Sequence, residues 1–292
     1  MTASSVTAEA PAKLNLFLHV TGRRADGYHL LDSLVAFAET GDRITAKPAD
    51  SLSLSIAGPF AGALEGEADN LVLRAARLLA GEAGIPPAAS LTLDKNLPVA
   101  AGIGGGSADA AATLRALARL WNLEIPTERL MALGLELGAD VPVCLLDQPC
   151  RLTGIGETLA PLSSLPALPV LLVNPGVPLS TPAVFRARSG EYGAAAPVLP
   201  LEEPARLLDF LRAQRNDLTG AAVALVPQIG TVFSHLEALP GCLLARLSGS
   251  GPTCFALMQD EESAESGAAA LQTAQPGWWV RATRLRPAGV SP

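Results

Sequence analysis

The sequence predicts an α+β protein built in two halves. Apolar residues alternate at strand spacing over residues 12–20, and further on they recur at the 3.6-residue spacing of helices. The composition becomes rich in proline and serine near residues 155–170. We therefore expect one domain over residues 1–160 and a second over residues 161–292.

The first half begins with strands. Leu14, Leu16 and Leu18 lie on one side of the first strand, and the pair Asp26-Gly27 is typical of a turn. The further strands predicted in this half are LLDSLVAFA, GDRITAKPA, SLSLSIAG and SLTLDKNLPV.

Three helices are predicted in the same half. The first is DNLVLRAARLLAGEAG, with Gly84 near its C-terminal end. The second follows a run of glycines, and its apolar stripe consists of Ala110, Leu114, Leu117 and Trp121. The third is capped by Thr127 and ended by Gly138.

The second half opens with the apolar strand VLLVNPG. Its predicted helices lie near residues 202–213, 216–225, 228–238 and 261–274. Its remaining predicted strands are CLLARLSGSG, TCFALM and WWVRATRL.

Composition and charge exclude several classes of protein. Apolar residues make up 49% and charged residues 17% of the chain, which is typical of a globular protein. The net charge of −7 argues against a general nucleic-acid binder. No apolar run approaches the roughly 20 residues of a membrane span, and no secretory signal is recognisable. We expect a cytoplasmic protein without nucleic-acid or membrane partners, whose four cysteines are thiols.

The segment LPVAAGIGGGSADAAATL combines a glycine run with the start of a helix. It is not a Walker A loop, because Gly106 is followed by Ser107 and Ala108 rather than by lysine. The dinucleotide fingerprint fits poorly, since its third glycine position falls on Ser107. Glycines and a helix beginning at Ser107 or Ala108 would still suit an anion. A flexible loop with Ser107 as the helix N-cap is equally open.

Three strings together resemble the motifs of the GHMP kinases. PVAAGIGGGSADAA resembles their P-x-x-x-G-x-G-x-S-[SA] loop, and APAKLNLFLHVTGRRADGYHLLDSL and RLSGSGPTCFAL flank it in the family order. LGADVPV and RNDLT are also similar, so that the resemblance covers roughly residues 10 to 288. It implies the two-domain GHMP kinase fold. The N-terminal domain would be similar to domain 2 of ribosomal protein S5, and the C-terminal domain would be a ferredoxin-like α/β domain.

The N-terminal string is most similar to one branch of the family. That branch uses ATP and Mg²⁺ to phosphorylate the 2-hydroxyl of 4-(cytidine-5′-diphospho)-2-C-methyl-D-erythritol, in the non-mevalonate (methylerythritol phosphate) pathway to isoprenoid precursors. The partners implied are therefore ATP and this small molecule, for either a monomer or a homodimer. A kinase of another small alcohol and a non-catalytic nucleotide- or sugar-binding regulator are the alternatives, and the presence of both Lys13 and Asp140 argues against the regulator.

Lys13 and Asp140 are the candidate catalytic residues. Asp140 follows a helix and precedes a predicted strand, and it would accept or orient the hydroxyl proton. Lys13 lies opposite the leucines of the first strand and would steady charge on the transferring group. Only three of the 21 basic residues are lysines, which favours a specific role for each. A turn aspartate and a solvated lysine on an edge strand are the alternatives.

The resemblance also implies the residues that bind ligands. Those expected to bind ATP are Lys95, Pro98, Val99, Ala100, Ala101, Gly102, Ile103, Gly104, Gly105, Gly106, Ser107 and Ala108. A surface position at the end of a strand is an equal alternative for Lys95. Those expected to bind the cytidyl substrate are Asn15, Tyr28, His29, Thr181 and Phe185. The cytosine would stack between Tyr28 and Phe185, although Tyr28 alone is equally typical of a core aromatic residue.

Magnesium ligation is the least specified feature of the predicted site. Ala108 stands where many family loops have a second serine, so Ser107 is the one loop hydroxyl that we expect to bind the ion. Asp109 would either complement the helix dipole in the first helical turn or reach Mg²⁺, and the dipole role is favoured.

Overall fold

A computed structural model describes residues 5–66, 70–197 and 201–287. Within these residues the strands are β1 (Val6–Arg23), β2 (His29–Lys47), β3 (Ser53–Ala57), β4 (Ser90–Asp94), β5 (Cys150–Gly154), β6 (Thr158–Pro161), β7 (Pro169–Asn174), β8 (Cys242–Leu247), β9 (Cys254–Met258) and β10 (Trp279–Arg284). The helices are α1 (Leu71–Ala83), α2 (Gly105–Leu120), α3 (Thr127–Leu137), α4 (Val141–Leu146), α5 (Thr181–Ala187), α6 (Pro204–Arg212), α7 (Thr219–Leu225), α8 (Gln228–Glu237) and α9 (Glu261–Ala274).

The chain divides into two compact units that are discontinuous in sequence. The first unit consists of Met1–Ala12, Gly41–Val99 and Gly104–Asp147. The second consists of Lys13–Thr40, Ala100–Ile103 and Gln148–Pro292. The single boundary that we predict at residue 160 stays a prediction.

The first unit contains helices α1, α2, α3 and α4. Its strands are β3, β4, the N-terminal part of β1 and the C-terminal part of β2. Within it, β4 pairs antiparallel with the C-terminal part of β2 and parallel with β3. Asn70 caps α1, because its side chain accepts the Val72 N–H at 2.9 Å, and Gly84 ends it in the left-handed conformation. Gly134 allows α3 to approach α4, since a Cβ atom there would lie 2.6 Å from the Leu145 side chain.

The second unit is built around the four-stranded antiparallel sheet β10-β7-β9-β8. Helices α7, α8 and α9 contribute apolar residues to the core of this unit, among them Ile229 and Leu271. Every residue of β9 is buried, which explains its unbroken apolar sequence. The N-terminal part of β2 pairs in this unit with β5, and β5 pairs with β6.

Several elements differ from the sequence prediction. Two strands predicted around residue 40 form one continuous strand, β2, and the segment after Asp140 is the short helix α4 rather than a strand. The apolar residues of VPVCLL suit a buried strand equally well, so periodicity could not distinguish the two. Thr127 is the first residue of α3 rather than its cap. Strands β5 and β6 and helix α5 were not predicted.

Within the described ranges, no helix is long and apolar enough to cross a membrane. The four cysteines are free thiols, and three of them are buried.

Candidate active site

Lys13 lies in the middle of β1, which is buried on both faces. Only 5% of its surface is exposed, so it is not a solvated lysine on an edge strand. Its peptide N–H donates a 2.9 Å hydrogen bond to the carbonyl oxygen of Ile103 in the glycine segment.

Asn15, two residues further along β1, is also buried. Its side-chain amide donates to the Ser33 hydroxyl at 2.8 Å, and this hydroxyl in turn donates to the Phe17 carbonyl oxygen at 2.6 Å. The Asn15 Oδ1 atom is buried and has no hydrogen-bond partner among the described residues. An acceptor held rigidly in this way suits the hydroxyl of a ligand.

Three carbonyl oxygens of the glycine segment are hydrogen-bonded within the second unit. The Ala101 oxygen accepts the Thr253 N–H at 3.2 Å, and the Gly102 oxygen accepts the Ser248 hydroxyl at 3.1 Å. The Ile103 oxygen accepts the Lys13 N–H. The three motifs that carry the family resemblance therefore meet at residues 101–103.

Gly102 is required by both its backbone angle and its surroundings. Its φ is +72°, and a Cβ atom there would lie 2.5 Å from the Gly251 carbonyl oxygen. The glycine thus allows the loop to touch the SGSG segment, Ser248–Gly251.

In the first unit, the glycine segment continues into α2. The helix begins at Gly105, and Gly104 precedes it with a φ of +67°. The expected helix start at Ser107 or Ala108 is therefore wrong, and the alternative of Ser107 as the N-cap does not hold either, because Gly104 occupies that position without a side-chain cap. Ser107, half-buried, lies in the first turn, where backbone N–H groups lack intrahelical acceptors.

Lys95 lies on a buried network rather than on the surface. Its ammonium lies 2.5 Å from an Asp42 carboxylate oxygen and 2.7 Å from one of Asp109. Burial disfavours the ammonium, but Asp109 and Asp42 outweigh it and raise the pKa of Lys95. Burial also raises the pKa of Asp109 to about 7, against the opposing effect of Lys95.

The favoured dipole role of Asp109 is not supported. Because α2 begins two residues earlier than the first predicted position, Asp109 lies beyond the first turn. Its carboxylate contacts Lys95 instead. Whether the Lys95 side chain touches a nucleotide stays a prediction.

His29 and Phe185 form an aromatic pair in the second unit. Their ring centroids are 5.0 Å apart and the planes are inclined by 28°. Burial lowers the pKa of His29, and the positive charges of Arg23 and Arg188 lower it further, which favours the neutral ring. Tyr28 is 62% exposed beside this pair in sequence, so it is not a core aromatic residue.

Thr181 begins helix α5, one turn before Phe185. Its hydroxyl lies 2.7 Å from the Ser250 hydroxyl. This contact connects another predicted substrate residue with the SGSG segment.

Asp140 immediately precedes α4 and is half-buried. Its carbonyl oxygen accepts the Cys144 N–H at 3.3 Å, while its side chain makes no capping hydrogen bond to the helix. The role of Asp140 as proton acceptor stays a prediction.

Asp42, Ser248 and Ser250 were not identified from the sequence. Asp42 is wholly buried, yet in the sequence it is an ordinary charged residue after a glycine. The serines lie inside the C-terminal motif RLSGSGPTCFAL, and their hydroxyl contacts could have been sought there. No group of three or more histidine, cysteine or acidic side chains suited to a metal occurs in the described part of the chain.

Comparison with known proteins agrees with this architecture. The model of the GHMP kinases N terminal domain matches residues 70–148, and the model of the GHMP kinases C terminal matches residues 199–277. A crystal structure of 4-(cytidine 5′-diphospho)-2C-methyl-D-erythritol kinase superposes with a TM-score of 0.79 at 36% identity, covering 97% of this chain and all of the other. Homoserine kinase from Cytophaga hutchinsonii shares the fold, with a TM-score of 0.73 at 19% identity, 98% of this chain and 96% of the other being covered. The predicted two-domain GHMP kinase fold is confirmed.

Two curated relatives specify the family more closely. The 4-diphosphocytidyl-2-C-methyl-D-erythritol kinase of Paramagnetospirillum magneticum is 50% identical over 283 residues, which cover 97% of this chain and 99% of the relative. The same enzyme of Rhodospirillum rubrum is 53% identical over 286 residues, covering 97% and 93%. The chain therefore belongs to the GHMP kinases and, within them, to the 4-diphosphocytidyl-2-C-methyl-D-erythritol kinases.

Proposed function

We propose that this chain transfers the γ-phosphoryl group of ATP to the 2-hydroxyl of 4-(cytidine-5′-diphospho)-2-C-methyl-D-erythritol, as a step of the methylerythritol phosphate pathway to isoprenoid precursors. The observation that carries the proposal is similarity over almost the full chain to relatives of that name, at 50% identity or more. The products are ADP and the 2-phospho derivative of the substrate.

ATP binds, in this proposal, along the glycine segment. The residues that form its site are Lys95, Pro98, Val99, Ala100, Ala101, Gly102, Ile103, Gly104, Gly105, Gly106, Ser107 and Ala108. Support comes from the 16-residue helix α2, whose N-terminal N–H groups and dipole favour phosphate. The bonded carbonyls of residues 101–103 also support it, because they fix the segment in one conformation.

Lys13 and Asp140 perform the chemistry. The Asp140 carboxylate orients the substrate 2-hydroxyl and accepts its proton, while the Lys13 ammonium stabilises negative charge on the transferring phosphoryl group. Burial of Lys13 supports this role, because a buried cation acts more strongly than a solvated one. The role of Asp140 is supported by the string LGADVPV, which resembles the catalytic segment of the family.

The cytidyl substrate binds through Asn15, Tyr28, His29, Thr181 and Phe185. The exposed Tyr28 ring and the Phe185 ring provide stacking faces for cytosine, and His29, neutral at pH 7, provides a hydrogen-bonding edge. The unpaired Asn15 oxygen accepts a hydrogen bond from a hydroxyl of the methylerythritol part of the substrate, and the Thr181 hydroxyl forms a hydrogen bond with another.

Mg²⁺ accompanies ATP in this proposal. Mg²⁺ retains waters and takes few protein ligands when phosphates are bound, so a dedicated acidic cluster is unnecessary. Ser107, in the first turn of α2, would hold the ion. The ion supplies positive charge that neutralises the phosphate oxygens.

We propose a cytoplasmic enzyme, a monomer or homodimer, without nucleic-acid or membrane partners. We also propose that residues 1–160 form the N-terminal domain with the ATP loop and residues 161–292 the C-terminal domain.

The proposed function is tested by a steady-state assay of ADP formation with three acceptors. We expect turnover with the cytidyl substrate and none with homoserine or mevalonate. Activity on homoserine or mevalonate, with none on the cytidyl substrate, would overturn the proposal in favour of another small-alcohol kinase.

A further inference from the structure

Three buried charges lie where the chain enters and leaves the glycine segment in the first unit. Asp42 belongs to β2, Lys95 follows β4, and Asp109 belongs to α2. Each is at most 3% exposed, so water screens them little. We call them the Asp42–Lys95–Asp109 triad.

One Asp42 oxygen holds the chain that leads into the loop. Its Oδ1 atom accepts the N–H of Asn96 at 2.5 Å and the N–H of Leu97 at 2.8 Å. Its Oδ2 atom accepts the Lys95 ammonium. The side chain therefore fixes three successive residues that end one position before Pro98.

The Lys95 ammonium connects Asp42 with helix α2. It donates to Asp109 Oδ2 at 2.7 Å, one turn beyond the start of the helix. A Cβ atom on Gly105 would lie 3.2 Å from Nζ and 3.7 Å from Asp42 Oδ2. The first residue of the helix thus packs directly on the triad, and glycine permits this approach.

The backbone of Lys95 is held as firmly as its side chain. Its N–H donates to the Ala57 carbonyl at 2.7 Å, and its carbonyl accepts the Phe60 N–H at 3.2 Å. Gly58, with a φ of +95°, lies against this backbone, where a Cβ atom would be 2.6 Å from the Lys95 oxygen. The backbone that carries the ammonium is therefore itself fixed in position.

The carboxylates of Asp42 and Asp109 differ in how many hydrogen bonds they accept. Asp42 accepts three hydrogen bonds, whereas Asp109 Oδ1 has no hydrogen-bond partner within the described ranges. One carboxylate is sufficient to neutralise one ammonium, so a second, poorly satisfied one requires an explanation. Through its contact with Asp109, the Lys95 ammonium fixes the orientation of α2 and the position of its N-terminus.

We propose that Asp42 and Lys95 are positioning residues for the ATP phosphates, acting through Asp109 on the first turn of α2 without touching the nucleotide. The inference rests on the proposed binding of ATP at the glycine segment. It deepens that proposal and changes it in one respect, because Lys95 then orders the ATP site without contacting the nucleotide itself.

The test is calorimetric titration of ATP into the full chain without acceptor, with and without Mg²⁺. We expect D42N and K95M to weaken ATP binding about tenfold, and D109N about threefold, in both conditions. The KM for the cytidyl substrate should change less than the KM for ATP. E82Q, which breaks the exposed Glu82–Arg129 pair of the same unit, should bind ATP as the wild type does.

D109N keeps the shape of the side chain and removes only its charge, so it keeps the test decisive if D42N fails to fold. Wild-type ATP affinity in D109N and in folded D42N or K95M would overturn the inference. A loss in D109N confined to the Mg²⁺ condition would also overturn it, since Asp109 would then bind the ion. If the wild type binds ATP but does not phosphorylate the cytidyl substrate, the proposed function fails while the expected losses of affinity still support the inference. If the wild type binds no ATP, both fail.

Discussion

The imidazole of His29 stacks on the ring of Phe185, with centroids 5.0 Å apart. The pair joins the start of β2 to helix α5 within one unit. Tyr28 remains exposed beside it in sequence, and therefore has a free ring surface for a base. This arrangement offers more aromatic surface than a small polar acceptor such as homoserine would require.

Replacing Tyr28 by alanine should weaken binding of the cytidyl substrate. Stacking of a base on an aromatic ring contributes about 1–3 kcal/mol, so we expect the KM for this substrate to rise about tenfold or more. The KM for ATP should stay unchanged, and Y28F, which keeps the ring, should behave like the wild type. An unchanged KM in Y28A would refute the stacking role.

His29 should titrate below the ordinary histidine pKa of about 6.5. R188Q should raise the pKa of His29 but leave it below that value, because burial is the larger cause. NMR titration of the ring proton measures both, with R186Q as a control that removes a nearby arginine not among the causes. Since the unfolded chain binds this proton more readily, acidification below pH 6.5 should destabilise the wild type more than H29Q. A His29 pKa above 6.5 would contradict the account.

Removal of the Asp140 carboxylate should abolish most of the turnover. A positioned base contributes about 10²- to 10⁴-fold, so D140N should lower kcat by that order with little change in melting temperature. K13M should lower kcat as well. The third lysine provides the control, because Lys47 lies exposed at the end of β2 and K47M should retain wild-type kcat. Unchanged turnover in D140N would exclude Asp140 as proton acceptor.

Two glycine-to-alanine substitutions should have opposite effects on stability. G102A should destabilise the fold by about 1–3 kcal/mol or more, because φ is +72° and the new methyl group would meet the Gly251 backbone at 2.5 Å. Gly81 lies exposed within α1 and has nothing within 4 Å of the added methyl, so G81A should stabilise by about 0.5–1 kcal/mol. Urea unfolding of both variants measures the difference. Equal stabilities would contradict the close approach at Gly102.

The sequence was sufficient for elements whose local pattern is unambiguous. The alternation in β1, the glycine segment and the helix after it are visible in the residues, and their resemblance to the GHMP kinases predicts the fold. The start of α2 was misplaced because the glycines at 104 and 105 resemble a loop, whereas their positions are set by packing against Lys95 and by a left-handed N-cap.

Contacts between residues distant in sequence could not be predicted. Asp42 lies 53 residues before Lys95, and no local period connects them. The contact of His29 with Phe185 likewise joins residues that are distant in sequence, and it depends on how the turn before β2 directs the His29 side chain. A short apolar segment such as α4 suits helix and strand alike until its packing partner Gly134 is known.

Phosphorus NMR of the product formed from ATP and 4-(cytidine-5′-diphospho)-2-C-methyl-D-erythritol tests the central claim most directly. We expect one new phosphomonoester signal, from a phosphate attached at the 2-hydroxyl, together with ADP and an intact cytidine diphosphate group. The absence of that signal from a folded protein that binds ATP, or a phosphate at another hydroxyl, would contradict it.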